Sequence, residues 1–371
     1  MFSSRLQWDC KPNPIAELLR AKRGDREPIL DLTQSNPTRA GFEYPSDLLE
    51  PDSRSLQYDP SPLGLPTARE AVAAYHGIPA DRVLLTTSTS ESYGFLFKLL
   101  CDPGDEILTP RPSYPLFEFL ASLESVHVKQ YPLVYHEGWW LDFDELRRIV
   151  TPRTRAILLV NPNNPTGSYL KRTELDQVVS LASANNLAIV SDEVFADYAF
   201  GPDESRAATL AHRGDVLTFT LSGLSKVCAL PQMKLGWIAA NGPRHEEALE
   251  RLEWIADTYL SVSTPIQLAA PRMLASRHVM QRQIRERTLR NLAVLDGRHL
   301  RVEGGWYATI QVPRTRSEES WVLDLLRCEN VLVQPGYFYD FHAEAFLVLS
   351  LLTAPDVFAE GVRRIFEFTA S

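Results

Sequence analysis

Leu221-Ser-Gly-Leu-Ser-Lys226-Val-Cys-Ala-Leu-Pro-Gln-Met-Lys234-Leu-Gly-Trp237 follows an apolar run, Val216 to Leu221, that reads as a buried strand. Lys226 therefore stands just past a strand end, inside a Ser/Gly turn. A buried amine there has a lowered pKa, becomes nucleophilic and can form a Schiff base. A lysine after a strand is equally an ordinary surface residue, so the reading depends on what surrounds it.

Upstream, Ala188 to Ser191 reads as a strand ending in Asp192-Glu193, and a carboxylate at such a place is costly unless something positive meets it. Earlier still, the apolar strand Ala156 to Val160 runs into Asn161-Pro-Asn-Asn164-Pro-Thr-Gly167, a loop stiffened by two prolines. Asn164 precedes Asp192 by 192 − 164 = 28 residues, and Asp192 precedes Lys226 by 226 − 192 = 34. Val83 to Thr86 is a further strand, and Thr86-Thr-Ser88-Thr89-Ser90-Glu then turns into the apolar helix Tyr93 to Leu100. Strand, small-residue turn and helix start make an anion site; a plain Ser/Thr cap is the alternative. Tyr114 lies between prolines in Cys101-Asp-Pro-Gly-Asp-Glu-Ile-Leu-Thr-Pro-Arg111-Pro-Ser-Tyr-Pro115, where a rigid surface turn is also possible.

The remaining segments complete an alternating pattern. Ile15 to Arg23 reads as a short arm helix, and Asp31 to Thr33 as a strand before the turn Ser35-Asn36-Pro37-Thr38. Tyr58 to Gly64 precedes Thr67-Ala-Arg-Glu70, a capping box opening a helix to about His76. Strands are also expected at 106–109, 127–131 and 235–239, giving about seven in an α/β layered domain. Past Trp237 come two long helical stretches, 244–259 and 266–295, then strands near 305–312 and 331–334 and a last helix from Asp356.

The chain has 371 residues, a formal net charge of −9 and a pI near 5.5, which argues against nucleic acid or anionic membrane as a main partner. Four cysteines, Cys10, Cys101, Cys228 and Cys328, show no Cys-x-x-Cys pairing and no histidine cluster, so neither structural zinc nor another metal is expected. No stretch reads as a secretory signal or a bilayer span, and a soluble cytoplasmic protein is expected.

Taken in this order, the motifs resemble the class I/II aminotransferases, pyridoxal-phosphate enzymes of fold type I. The resemblance implies a three-layer αβα large domain (41–275) with a mixed, mostly parallel sheet. A smaller α+β domain (276–371), an N-terminal arm (1–40) packing with it, and a homodimer with interfacial sites are implied too. Transamination between an amino acid and a 2-oxo acid follows, with Lys226 as Schiff-base partner and Asp192 facing the pyridine nitrogen. Asn164 then addresses the phenolic oxygen, Tyr114 stacks on the ring, and Ser88, Thr89, Ser90, Ser222, Ser225 and Lys234 surround the phosphate. Tyr58 reaches the neighbouring subunit's phosphate, and Ser35 and Asn36 line the substrate site. Several places depart from the pattern: Gly223 stands for a serine, Ser88 for a glycine, Lys234 for an arginine and Phe195 for a tyrosine. Val348 occupies the place of the arginine that binds the substrate carboxylate, leaving Arg39 and Arg111 as the nearest substitutes. Decarboxylation, β-elimination or cyclisation on the same cofactor, or a non-catalytic cofactor-binding module, are the alternatives.

Overall fold

Short apolar runs separated by amphipathic helices form a parallel sheet that is covered on both faces. The computed structural model describes residues 2–6, 8, 11–50 and 52–370, so Cys10 lies outside the described residues. A two-residue strand in the arm, β1 (Leu30–Asp31), precedes the main sheet. That sheet holds β2 (Val83–Thr86), β3 (Glu106–Arg111), β4 (His127–Tyr135), β5 (Trp139–Leu141), β6 (Thr154–Val160), β7 (Ala188–Asp192), β8 (Thr218–Gly223) and β9 (Gly236–Asn241). Their order is β2-β9-β8-β7-β6-β3-β4-β5. The central pairs, from β8 through β7, β6 and β3 to β4, are parallel, while β9 and β5 run antiparallel to their neighbours. The eighth strand, β5, was not expected; it is a three-residue edge strand whose alternation is too short to register as a pattern.

One face of the sheet packs Leu84, Ile107, Leu158, Val190, Phe219 and Ile238 against the helices α3 (Thr89–Leu100) and α8 (His245–Asp257). The other packs Leu108, Ile157 and Ile189 against the helix at Arg172–Ala184. Helix α3 begins four residues before the expected Tyr93, because the Ser88 hydroxyl caps it by accepting from Glu91 N. The capping box expected at Thr67 does not form. The helix there starts at Pro66, and the N–H of the preceding Leu65 donates instead to Gln267 Oε1 at 2.6 Å.

A second core is built from β10 (Tyr307–Gln311), β12 (Gln334–Pro335) and β13 (Phe346–Ser350), with the helices Glu318–Cys328 and Pro355–Ala370. The strand β11 (Val331–Leu332) pairs parallel with β1, and Ile15 and Leu32 of the arm are buried in the same core. Helix α9 (Thr264–Val294) runs through the expected boundary at 275/276. Its amides reach both units: Gln267 caps Leu65 N, Gln281 donates to Val227 O, and Asn291 donates to the carbonyls of Leu351 and Thr353. Among the described residues no helix is long and apolar enough to cross a membrane.

The Asn-Pro loop after β6 docks onto the second unit through Gly167. Its φ is +66°, and a Cβ there would stand 2.3 Å from Val302 Cγ2 and 2.4 Å from the Gly304 carbonyl oxygen. Gly167→Ala should therefore cost about 2 kcal/mol or more in urea unfolding, from left-handed strain and overpacking together. Gly201→Ala, where a Cβ meets nothing within 4 Å, should stay within about 0.5 kcal/mol of wild type. Equal midpoints for the two variants would refute this account of the loop.

Candidate active site

Parallel strands end on the same side, so the residues that follow β3, β6, β7 and β8 meet in one place. Asp192 closes β7 opposite Leu221, and Lys226 lies five residues further along the neighbouring strand's exit, in the single turn Leu224–Val227. Tyr198 and Gln281 hold that turn from behind: the Tyr198 hydroxyl donates to Lys226 O at 2.6 Å and Gln281 Nε2 donates to Val227 O at 2.9 Å. The lysine amine is enclosed by aromatic rings, 5.7 Å from the centre of Phe195 and 5.4 Å from that of Trp306. Burial pulls its pKa below the ordinary amine value, and only the charge of Asp192 opposes this.

Asp192 shows the mirror effect. Burial raises its carboxyl pKa, against hydrogen bonds from Val194 N (3.2 Å) and from the Tyr93 hydroxyl (2.9 Å) and the charge of Lys226. Tyr93 stands on α3, fully enclosed between Phe97 and Phe117. The sequence offered no sign of it, since a tyrosine inside an apolar helix reads as core. Glu193, next in the chain, faces away and is tied to Ser191 and Leu210 N.

Two of the three asparagines in the loop Asn161–Gly167 are committed to hydrogen bonds that fasten it in place. Asn161 Oδ1 accepts from Leu170 N, while Asn163 bonds Pro112 O, Thr166 Oγ1 and the Ser113 hydroxyl. Asn164 is buried too, yet its Oδ1 has no partner. Ser222 Oγ and Trp306 Nε1 are likewise buried and unbonded. Such groups near one buried amine are the complement of a polar ligand that the protein chain itself does not supply. Tyr114 is the exposed wall of the place, 40 % exposed, and the charge of Asp192 helps raise its pKa behind the larger effect of burial.

Ser88, Thr89 and Ser90 open α3 with its unbonded N–H groups. Glu91 completes this turn: its Oε2 accepts from Thr87 N at 2.7 Å and from the Ser261 hydroxyl at 2.8 Å. Gly236 packs so closely on Ser88 that a Cβ would come within 2.9 Å of the Ser88 carbonyl carbon, which brings the turn carrying Lys234 to the same place. Lys234 itself has a left-handed backbone (φ 49°) and an exposed side chain with no ion pair among the described residues. Ser225 is partly exposed beside Lys226.

Other expected residues divide into two groups. Ser35 is brought in, bonding the Tyr307 hydroxyl, and Tyr307 in turn touches Phe195 at 6.4 Å between ring centres. Asn36 turns away to cap its own loop by accepting from Thr38 N. Arg39 is exposed. Arg111 ends β3 opposite Pro132 of β4, its Nε is buried without a hydrogen-bond partner, and its charge helps lower the Glu145 carboxyl. Tyr58 is 81 % exposed, away from the enclosed lysine.

Val348 is fully buried on the face of β13 turned away from the second core, opposite Thr309 and Gln334. No arginine replaces it on that face.

Residues 42–363 match the family model of aminotransferase class I and II. This chain belongs to the class I and II aminotransferases. The glutamate-pyruvate aminotransferase AlaA of Haemophilus influenzae is 29 % identical over 92 % of the chain and 90 % of its own length. The Escherichia coli AlaA is 33 % identical over 72 % of this aminotransferase and 69 % of its own length. In structure, an Escherichia coli aminotransferase superposes with a TM-score of 0.88 at 25 % identity, covering 100 % of this chain and 98 % of that one. The alanine aminotransferase of Pyrococcus furiosus superposes with a TM-score of 0.87 at 24 % identity over the whole of both chains.

Within this aminotransferase Tyr93 stabilises the ionised form of Asp192. Tyr93→Phe should push the Asp192 carboxyl higher still and destabilise the cofactor-free protein by about 0.5–1.5 kcal/mol at neutral pH. The sign follows from linkage: the hydrogen bond favours the carboxylate, so the cost is full where Asp192 is ionised and fades as acid protonates it. Urea titrations of both proteins across the acid range check this; a cost independent of pH would mean Tyr93 only fills space.

Proposed function

We propose that this aminotransferase holds pyridoxal 5'-phosphate at the residues just described and moves an amino group between an amino acid and a 2-oxo acid. The observation that carries the reading is the buried pair Lys226 and Asp192 at adjacent strand exits, with Asn164 the one unbonded amide of its loop. When bound, the cofactor supplies an electron sink for the carbanion left when the substrate loses its α-proton.

The chain's own groups divide the work. Lys226, its pKa depressed by burial, offers an Nζ that gives up its proton more readily than an ordinary amine, can attack a carbonyl and can later carry a proton at that atom. Asp192 presents a negative charge to a ring nitrogen, held in orientation by Tyr93 and Val194 N. The α3 N-terminus, the hydroxyls of Ser88, Thr89, Ser90, Ser222 and Ser225, and the exposed cation of Lys234 suit a phosphate, Lys234 as a point charge without the fork of an arginine. Phe195 cannot donate to a phenolic oxygen; with Trp306 it screens the amine from water. Leu56 and Tyr58, 92 % and 81 % exposed on one segment, support a homodimer in which that segment covers the partner's site. The names of the relatives make glutamate and pyruvate the first pair to assay.

Borohydride reduction of the purified holoprotein, followed by peptide mass mapping, should place the cofactor on Lys226. Lys226→Ala should lose both the attachment and at least about 10³ of the transfer rate. A modified lysine elsewhere would end this assignment. Lys234→Ala should release the cofactor about tenfold more readily, worth about 1.4 kcal/mol, whereas Lys234→Arg should retain it; dialysis against a phosphate buffer measures both, and an unchanged Lys234→Ala would remove this residue from the site.

A further inference from the structure

Glu303, on the link between α9 and β10, is 7 % exposed, and its counter-ion Lys171 is 6 % exposed. Both oxygens of Glu303 accept from Lys171 Nζ at 2.6 Å, and Oε2 also accepts from Tyr169 N at 3.2 Å. Arg206 adds its charge, with Nε 3.5 Å from Oε2, and covers the Tyr169 ring; Arg301, more exposed, stands 3.9 Å from Oε1. The backbone of the same residue is engaged as well. Glu303 N donates to Gly167 O at 3.1 Å, and Phe200 N donates to Glu303 O at 2.9 Å. Glu303 thus fastens the end of the Asn-Pro loop, and the segment that follows β7, to the link that leads into the second unit.

Two walls of the amine's enclosure hang from this junction. On one side Gly167 closes the loop that carries Asn164, whose Oδ1 is buried without a partner. On the other, Gly304 lies so close to the Tyr198 carbonyl oxygen that a Cβ would stand 2.6 Å from it, and Gly305 N donates to the same oxygen at 3.0 Å. Trp306 follows, its ring 5.4 Å from Lys226 Nζ. Removing the charge of Glu303 would do more than weaken one bond. A glutamine keeps one acceptor oxygen and sets an NH2 group against the Lys171 ammonium, a donor facing a donor. A buried cation without its counter-charge is driven toward water, and the segment 167–171 goes with it.

We propose that Glu303, paired with Lys171, is a positioning residue of this aminotransferase that sets Asn164 and Trp306 about the Lys226 amine. It acts through the loop and through the strand link, not by touching the reacting atoms. With the junction intact, Trp306 keeps water from the amine and the Asn164 amide keeps its place. The part that concerns Asn164 rests on the cofactor reading above, and the part that concerns Trp306 does not.

The test reads Lys226 in the cofactor-free protein, as the pH midpoint of its carbamylation by cyanate followed through peptide mass mapping. In Glu303→Gln water reaches the amine, so this midpoint should rise by about 0.5 pH unit or more. In the holoprotein the pH midpoint of the cofactor's visible band should rise by about as much, because an amide N–H withdrawn from the phenolic oxygen no longer stabilises its anion. Lys171→Met, milder because Glu303 keeps Tyr169 N and Arg206, should move both midpoints the same way, and it decides if Glu303→Gln fails to fold. Asp105→Asn is the control. It breaks the pair that another buried carboxylate makes with Arg155 at 2.8 Å, at the starts of β3 and β6, and should leave both midpoints where they are. Either midpoint unmoved in the folded variant, or an equal shift in Asp105→Asn, overturns the proposal. A raised Lys226 midpoint in a protein that takes up no cofactor would keep Glu303 in this role and remove the cofactor reading instead.

Discussion

An amine and a carboxylate buried together at neighbouring strand exits is the constraint around which this molecule is arranged. Each is driven toward its neutral form by burial, the amine downward in pKa and the carboxyl upward; the charge of Asp192 opposes this at the amine, while at the carboxyl the hydrogen bonds from Val194 N and Tyr93 come first and the charge of Lys226 after them. Such a pair tolerates little slack, because a buried charge that drifts from its partner is left uncompensated. The surroundings accordingly fix both ends. Tyr93 and Val194 N orient the carboxylate, Tyr198 and Gln281 hold the backbone of the lysine turn, and the parallel pairing of β7 with β8 sets the spacing between them.

Much of this was legible in the chain because the informative signals are local. Apolar runs closed by Asn-Pro, Asp-Glu or Ser-Gly turns announce buried parallel strands, and a residue just after such a run must sit at the strand's carboxyl end. Asn164, Asp192 and Lys226 could be placed on those grounds alone. Tyr93 could not, since its meaning depends on which strand α3 crosses, and neither could the enclosure of Lys226 by Phe195 and Trp306, residues 111 positions apart (306 − 195).

The errors are equally physical. Thr67 and Glu70 have the spacing of a capping box, yet Gln267, some two hundred residues away, satisfies the helix start first. Val348 stands opposite Thr309 and Gln334, and no arginine lies on that face of β13.

Helix α9 has a further consequence. At 1.5 Å per residue its 31 residues span about 46 Å, and its amides grip the start of the second helix of the chain, the lysine turn, and the strand exit at Leu351 in succession. A rod fastened at three points transmits displacement rather than absorbing it. The turn that carries Lys226 is therefore held at the middle of a single rod that also ties the sheet unit at one end and the C-terminal core at the other.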